Sequence, residues 1–248
     1  MARARHVPRV YLAQDLAEGG TITLPDDKRH HLATVLRLAA GNTLVLFNGD
    51  GAEYTATLTA ADRKRAEARV DRRTTPHRES PLKITLLQAV ARGDRMDFAL
   101  AKAVELGVTA IQPVFTARGQ VKLDGARLAK KQGHWQRIVE SAAEQSGRLL
   151  CPELHEATDL AAQIDNPPAA DRCLMLAPEA DVGLAAQTPA TRIALLIGPE
   201  SGLSNDEINR AAAAGWQPLA LGPRVLRTET AGMAALAALQ TIWGDLAG

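Results

Sequence analysis

Arg192-Ile-Ala-Leu-Leu-Ile-Gly-Pro-Glu-Ser-Gly-Leu-Ser204 passes from an uninterrupted apolar run, through a glycine-bracketed turn, into the start of a helix. A strand that is apolar without alternation is buried on both faces, as strands of parallel sheets covered by helices are. Ser204 with Glu207 three residues later spells a capping box, and Gly215 closes the helix that follows. Working outward, apolar runs at 82–90, 109–115, 172–176 and 217–221 read as further strands. Helical patterns occupy 94–106, 128–145, 204–214 and a last segment running from Thr228 or Thr230 to Trp243. Strands alternating with helices predict an α/β domain with a parallel sheet over residues 82–248.

The front of the chain has a different grain. Short strands are predicted at 9–12, 21–24, 43–47, 53–58 and within 63–73. One helix is predicted over 26–38, capped by Asp26 or Asp27, with Leu32, Val35 and Leu36 on one face. Asn48-Gly-Asp-Gly51 reads as a hairpin turn, because Asn and Gly tolerate positive φ. Several short strands around one helix suggest a small barrel over residues 1–75. The polar, proline-bracketed TTPHRESP at 74–81 has no periodicity, and 76–81 reads as the linker.

The chain has 248 residues, 46% hydrophobic and 23% charged, which suits a buried core and excludes disordered, collagen-like and disulfide-scaffold classes. No run nears the roughly 18 apolar residues of a membrane helix, and the basic N-terminus lacks the apolar segment of a secretory signal. Two cysteines, Cys151 and Cys173, suit a reducing cytoplasm and support no zinc site. His30 and His31, being adjacent on a helix, point apart, so no metal is expected. Charge is uneven: 12 Lys and Arg stand against 9 Asp and Glu in residues 1–75, 7 against 3 in 118–148, and 5 against 12 in 149–248. Such a field suggests a polyanion held by the front and middle of the chain, although solvated surface reads the same way.

Two segments carry the chemistry. Ile197–Ser204 leaves a strand at its carboxyl end, where open α/β sheets bind ligands, and Gly198 and Gly202 permit close approach of backbone. It has neither the Gly-Lys-Ser/Thr ending of a phosphate loop nor the G-x-G-x-x-G spacing, and a plain strand-to-helix turn is the alternative. Leu221-Gly-Pro-Arg-Val-Leu-Arg-Thr-Glu-Thr-Ala231 also joins a strand to a helix. Helix capping accounts for its threonines and Glu229, but not for Arg224 and Arg227, since cations are unfavourable at a helix N-terminus.

Taken together, GPESGLS and LGPRVLRTETA resemble the two carboxy-terminal signatures of the SPOUT methyltransferases, and more narrowly the family that methylates N3 of a uridine in 16S ribosomal RNA. The resemblance extends through HVPRVY, HLATVLRL, LFNGDG, RESP, KAVELGV, TARGQVKL, AAEQSGR and WGDLAG, in that order along the chain. One departure is visible: the family usually has glycine where Ser201 stands. The resemblance implies an α/β trefoil-knot domain preceded by a PUA-like RNA-binding β-barrel, a homodimer, S-adenosylmethionine as cofactor, and 16S rRNA or the small ribosomal subunit as partner. It implies cofactor contacts at Leu176 and Ala177, at Leu196, Ile197, Gly198, Pro199 and Glu200, and at Leu221, Gly222, Leu226, Arg227 and Thr228, with Leu196, Leu221 and Leu226 as apolar walls.

For the uridine proton two routes stay open. Glu229 or Glu200 accepts it, or Arg227, Arg118 or Arg148 stabilises the anion; the favoured route is arginine-assisted, with Glu229 orienting an arginine, making Arg118, Arg227 and Glu229 the candidate catalytic residues. The expected RNA contacts are Arg9, Arg37, Arg63, Lys64, Arg65, Arg72 and Arg73 in the barrel, with Lys122 and Arg148 beyond it. Another SPOUT RNA methyltransferase, or a non-catalytic RNA-binding protein, is the rival reading.

Overall fold

Burial alternates along Glu53–Ala61, where Tyr54, Ala56 and Leu58 are buried and Thr55 and Thr57 are not, so this strand covers one core with one face. The computed structural model describes residues 7–62 and 64–247. The chain divides into two units, residues 1–79 with 143–151, and residues 80–142 with 152–248. The single cut expected near residue 80 is therefore incomplete, because 143–151 belongs with the first unit.

The first unit contains β1 (Arg9–Tyr11), β2 (Thr21–Thr23), α1 (Asp26–His30), β3 (Thr43–Phe47), β4 (Glu53–Ala61) and β5 (Ala66–Thr74). Its sheet runs β1-β3-β4-β5-β2, with β1 parallel to β3 and the other neighbours antiparallel. The expected barrel is thus a mixed five-stranded sheet whose end strands do not pair among the described residues. Leu44, Leu46, Tyr54, Ala56, Leu58, Ala68 and Val70 fill its core. The Asn48–Gly51 turn forms as read, with positive φ at Gly49 and Gly51 and the Asp50 amide donating to Asn48 Oδ1.

The helix expected over 26–38 is shorter and differently wound. Pro25 is its N-cap, Asp26 and Asp27 lie in the first turn, and neither aspartate caps it. After His30 the chain widens into a π turn, His31–Val35, and Arg37 takes φ 55°. The wider turn rotates the apolar stripe out of phase. Leu32 is fully buried, whereas Val35 and Leu36 are exposed.

Glu79, in the segment read as linker, organises residues 143–151. Its Oε2 accepts from Arg148 Nη2 at 2.6 Å and Nε at 3.1 Å, and its Oε1 accepts the amides of Leu149 and Leu150 at 2.8 and 3.1 Å. Arg148 is 5% exposed. Arg9 is likewise engaged: its guanidinium pairs with Glu53 at 2.7 Å, donates to the Arg148 carbonyl at 2.9 Å and lies over the Phe47 ring.

The second unit contains β6 (Lys83–Ala89), α2 (Asp94–Glu105), β7 (Ala110–Phe115), most of α3 (Gly125–Ser146), β8 (Glu153–Leu154), β9 (Thr158–Asp159), α4 (Leu160–Asp165), β10 (Arg172–Leu176), β11 (Arg192–Ile197), α5 (Asn205–Ala213), β12 (Gln217–Leu219) and α6 (Thr228–Trp243). Its sheet runs β12-β10-β11-β6-β7-β8, with β9 also on β7, and every pairing is parallel, as the apolar runs require. Asp171 sets the register of β10 against β11 by accepting from Thr191 and Arg192, and the Arg192 side chain, with Thr191, lowers its carboxyl to about 2. No helix among the described residues is long and apolar enough to cross a membrane.

Replacing Arg148 with Ala leaves the Glu79 carboxylate without its cation in a site largely closed to water. The change is expected to cost about 3 kcal/mol of stability, read as a lowered urea midpoint.

Candidate active site

The parallel register lines up the carboxyl ends of β10, β11, β12 and β6. Met175 lies beside Leu196, Leu176 beside Leu219, and Ile197 beside Gln88. The segments that leave these ends are 177–183, 198–204 and 220–227. Two backbone bonds hold the first against β12 and the third: Ala177 N to Leu219 O at 3.1 Å and Ala220 N to Val182 O at 2.9 Å.

A buried side-chain relay ties 198–204 to the last helix. The Thr228 hydroxyl donates to the Gly198 carbonyl at 2.7 Å and accepts from Gln88 Nε2 at 3.0 Å. A hydroxyl has one proton, and a carbonyl only accepts, so the Gln88 amide must face Thr228 with its nitrogen. The same nitrogen reaches the Ala89 carbonyl at 3.1 Å, while Gln88 Oε1 is buried without a partner among the described residues. Gln88 is fully buried and Thr228 4% exposed. The last helix therefore starts at Thr228, but Thr228 does not cap it. Arg227 is the N-cap residue, without a side-chain cap bond, and Glu229 lies in the first turn.

The implied cofactor residues do not all present side chains in the same way. Leu196 is fully buried, in a cluster with Met175, Leu203 and Trp216, so it is core rather than an apolar wall. Leu221 and Leu226 are partly exposed, as are Leu176 and Ala177, whereas Ile197 and Pro199 are buried. A Cβ at Gly198 would meet the Leu203 side chain at 3.2 Å, so a larger residue there requires Leu203 to give by a few tenths of an ångström. Gly222 needs its freedom of φ, at 70°, and leaves open space where a side chain would stand. Glu200 turns its carboxylate to Arg95 of α2 at 3.0 Å.

The three candidate catalytic residues all lie in this unit. Arg118 is exposed and donates from Nη1 to the Leu203 carbonyl at 3.2 Å. Arg227 is exposed. Glu229 is not paired with an arginine as expected: its Oε2 is buried and has no hydrogen-bond partner among the described residues. Burial pushes the Cys173 thiol of β10 up from its ordinary value, which leaves it a poor nucleophile. No group of three His, Cys, Asp or Glu residues that could hold a metal occurs among the described residues.

The basic residues expected at RNA separate into two sets. Arg37, Lys64, Arg65, Arg72 and Lys122 are exposed, and Arg73 is about half exposed while lying over the Tyr54 ring. Arg63 lies outside the described residues. Arg9 and Arg148 are the corrections: their guanidinium groups are taken up by Glu53 and Glu79. Gln88 is the residue that sequence reasoning missed. Its signal is a lone amide inside the otherwise apolar Leu86-Leu-Gln-Ala-Val90.

Thr228→Val keeps the shape and removes the hydroxyl, taking the Thr228 donor from the Gly198 carbonyl and leaving Gln88 Nε2 only its bond to the Ala89 carbonyl. A loss of about 2 kcal/mol is expected in urea unfolding, with Thr228→Ser retaining most of the stability.

An RNA methyltransferase domain model matches residues 78–240, and an RNA methyltransferase PUA domain model matches residues 24–71. Among solved structures, a ribosomal RNA small subunit methyltransferase E of Neisseria gonorrhoeae bound to S-adenosyl methionine is 43% identical with a TM-score of 0.91, covering 97% of this chain and 100% of that one. A methyltransferase of Legionella pneumophila, solved with its cofactor SAM, is 39% identical with a TM-score of 0.93, covering 97% and 99%. The ribosomal RNA small subunit methyltransferase E of Buchnera aphidicola subsp. Acyrthosiphon pisum is 31% identical over 97% of this chain and 96% of its own. Both domain models and this end-to-end similarity place the chain in the ribosomal RNA small subunit methyltransferase E family of RNA methyltransferases.

Proposed function

We propose that the protein uses S-adenosylmethionine to methylate N3 of a uridine in small-subunit (16S) ribosomal RNA, acting as a homodimer with a trefoil-knotted second domain. The observation that carries the reading is the Gln88–Thr228–Gly198 relay. It fixes two signature loops against each other at strand carboxyl ends, in a chain that aligns end to end with relatives holding this cofactor.

The residues present fit such a group. Leu221 and Leu226 offer partly exposed apolar surface to a base, and Gly222 leaves its backbone approachable. The unpartnered Glu229 Oε2 supplies a buried acceptor at a site meant for a cationic ligand. Backbone of Leu176, Ala177, Leu196, Ile197, Gly198 and Pro199 would complete the cradle, with Leu221 to Thr228 closing it. Bound there, the cofactor supplies an activated methyl group for in-line displacement.

The chain's own task is to hold the uracil and favour loss of its N3 proton. Arg118 and Arg227 serve to stabilise negative charge on the uracil oxygens, as donors of an oxyanion site do. With Glu229 unpaired to either, the arginines act without its orientation, and the proton leaves to solvent. Exposed Arg37, Lys64, Arg65, Arg72 and Lys122 hold the phosphate backbone.

The decisive experiment treats small-subunit particles lacking the modification with protein and labelled cofactor, then maps the methylated nucleoside by mass. N3-methyluridine is expected; a ribose-methylated nucleoside, or none, would sink the assignment. Two further outcomes follow. Glu229→Gln is expected to leave the shape of the pH–rate profile unchanged, and a lost limb would make Glu229 the base instead. Arg65→Ala with Arg72→Ala is expected to lower the slope of log affinity against log salt by about 0.7–0.9 for each phosphate no longer neutralised, with cofactor affinity unchanged in calorimetry.

A further inference from the structure

The segment Thr116–Gly119 follows β7 and turns back on itself, Gly119 N donating to Thr116 O at 3.0 Å. Three hydrogen bonds fasten it to the loop after β11. Glu207 Oε1 accepts the Ala117 amide at 2.7 Å, the Arg118 guanidinium donates to Leu203 O at 3.2 Å, and Ser201 Oγ donates to the Arg118 carbonyl at 2.8 Å. Glu207 is itself held, since its Oε2 accepts the Ser204 amide at 2.7 Å and Ser204 Oγ at 2.9 Å in the capping box of α5. The carboxylate end of the clamp is therefore rigid.

The other end depends on the Ser201 side chain. A glycine at 201 has no donor for the Arg118 carbonyl, and it also leaves the loop more conformational freedom to lose. Glu207 and Arg118 by themselves fix residue 117 and the tip of the arginine side chain; the peptide that follows Arg118 is held at its N–H by Thr116 O within the turn, and its carbonyl is fastened to the neighbouring loop by Ser201 Oγ. The hydroxyl at 201 thus ties the origin of the arginine side chain to the 198–204 loop.

We propose that Ser201 is a positioning residue: its hydroxyl anchors the backbone of Arg118, so that the guanidinium is held beside the 198–204 loop for the charge that develops on the uracil. This rests on the reading of Arg118 given above. One of the five N–H donors of Arg118 is committed to Leu203, and the others are available to an incoming oxygen.

The test has one arm without turnover and one with it. By hydrogen exchange on the whole protein, Ser201→Gly is expected to speed exchange in the 116–119 segment severalfold, with α5 and β11 unchanged; unaltered exchange there overturns the clamp whether or not the protein methylates RNA. In steady-state methylation of small-subunit particles, Ser201→Gly is expected to lower kcat about fivefold, the scale of one hydrogen bond, with KM and the calorimetric Kd for S-adenosylmethionine within twofold. Ser201→Thr, which keeps the hydroxyl, should restore most of kcat. In an Arg118→Ala background the same glycine change should cost nothing more, because nothing remains to be positioned. Equal losses in both backgrounds, or an unchanged kcat in Ser201→Gly, would overturn the role assigned to Ser201. Failure of the functional reading has a different signature: the wild-type protein transfers no methyl group to the particles, while the exchange result stands.

Discussion

The single proton of the Thr228 hydroxyl orders the second unit. Because Gly198 offers only a carbonyl, the proton goes there, and Gln88 must donate rather than accept. One decision about hydrogen-bond polarity thus fixes three pieces of chain far apart in sequence: the end of β6, the loop after β11 and the start of α6. The Gln88–Thr228 bond is buried, so leaving either of its partners unmade is costly. The first signature loop, the second and the last helix are one mechanical body because of it. A cradle for a ligand at strand ends needs such a body, since loops left to themselves are the least ordered part of an α/β fold.

What the sequence discloses follows from the length scale of each signal. β3, β10 and β11 are legible to the residue, because each opens on a polar residue followed by four or five apolar side chains in succession. The capping box at Ser204 and Glu207 is legible because it is a pair of complementary groups at fixed spacing. β8 and β9, with two residues each, carry no period, and they form only because β7 presents an edge to them. The helix that begins at Asp26 is misread over its second half because the extra residue of a π turn leaves no mark on composition. The start of the last helix is undecided between two threonines in sequence; it is settled by a partner 140 positions away, Gln88.

The arginines teach the complementary lesson. Arg148 and Arg65 are the same residue type, and both read as candidates for RNA. What separates them is whether a carboxylate has already taken the guanidinium. Glu79 encloses Arg148 from two directions while also collecting two backbone amides, so a residue that reads as a candidate for RNA is a structural pin. Arg65 pairs only loosely with Glu67, at 3.5 Å and largely exposed. A count of basic residues therefore overstates an RNA footprint by the number that are internally neutralised. The Leu196 correction has the same form: apolar side chains near a site divide into those facing the ligand and those facing the core, and only packing assigns them.

Arg227 is the residue for which sequence and structure press the same argument. It stands at the N-cap of α6, where unpaired backbone N–H groups already carry partial positive charge, and a cation there is disfavoured by about 0.3–1 kcal/mol. Glu229, two residues on, is the natural compensator, yet its buried oxygen is unpartnered among the described residues. A fold indifferent to this loop gains nothing from such an arrangement, since Ser, Thr, Asp or Asn at the same position would cap the helix and stabilise it. An anion placed there would meet the helix terminus and the guanidinium together, which is the general reason anions favour helix N-termini. An arginine at the head of α6, uncapped and exposed, is therefore a local electrostatic cost that helix capping does not explain.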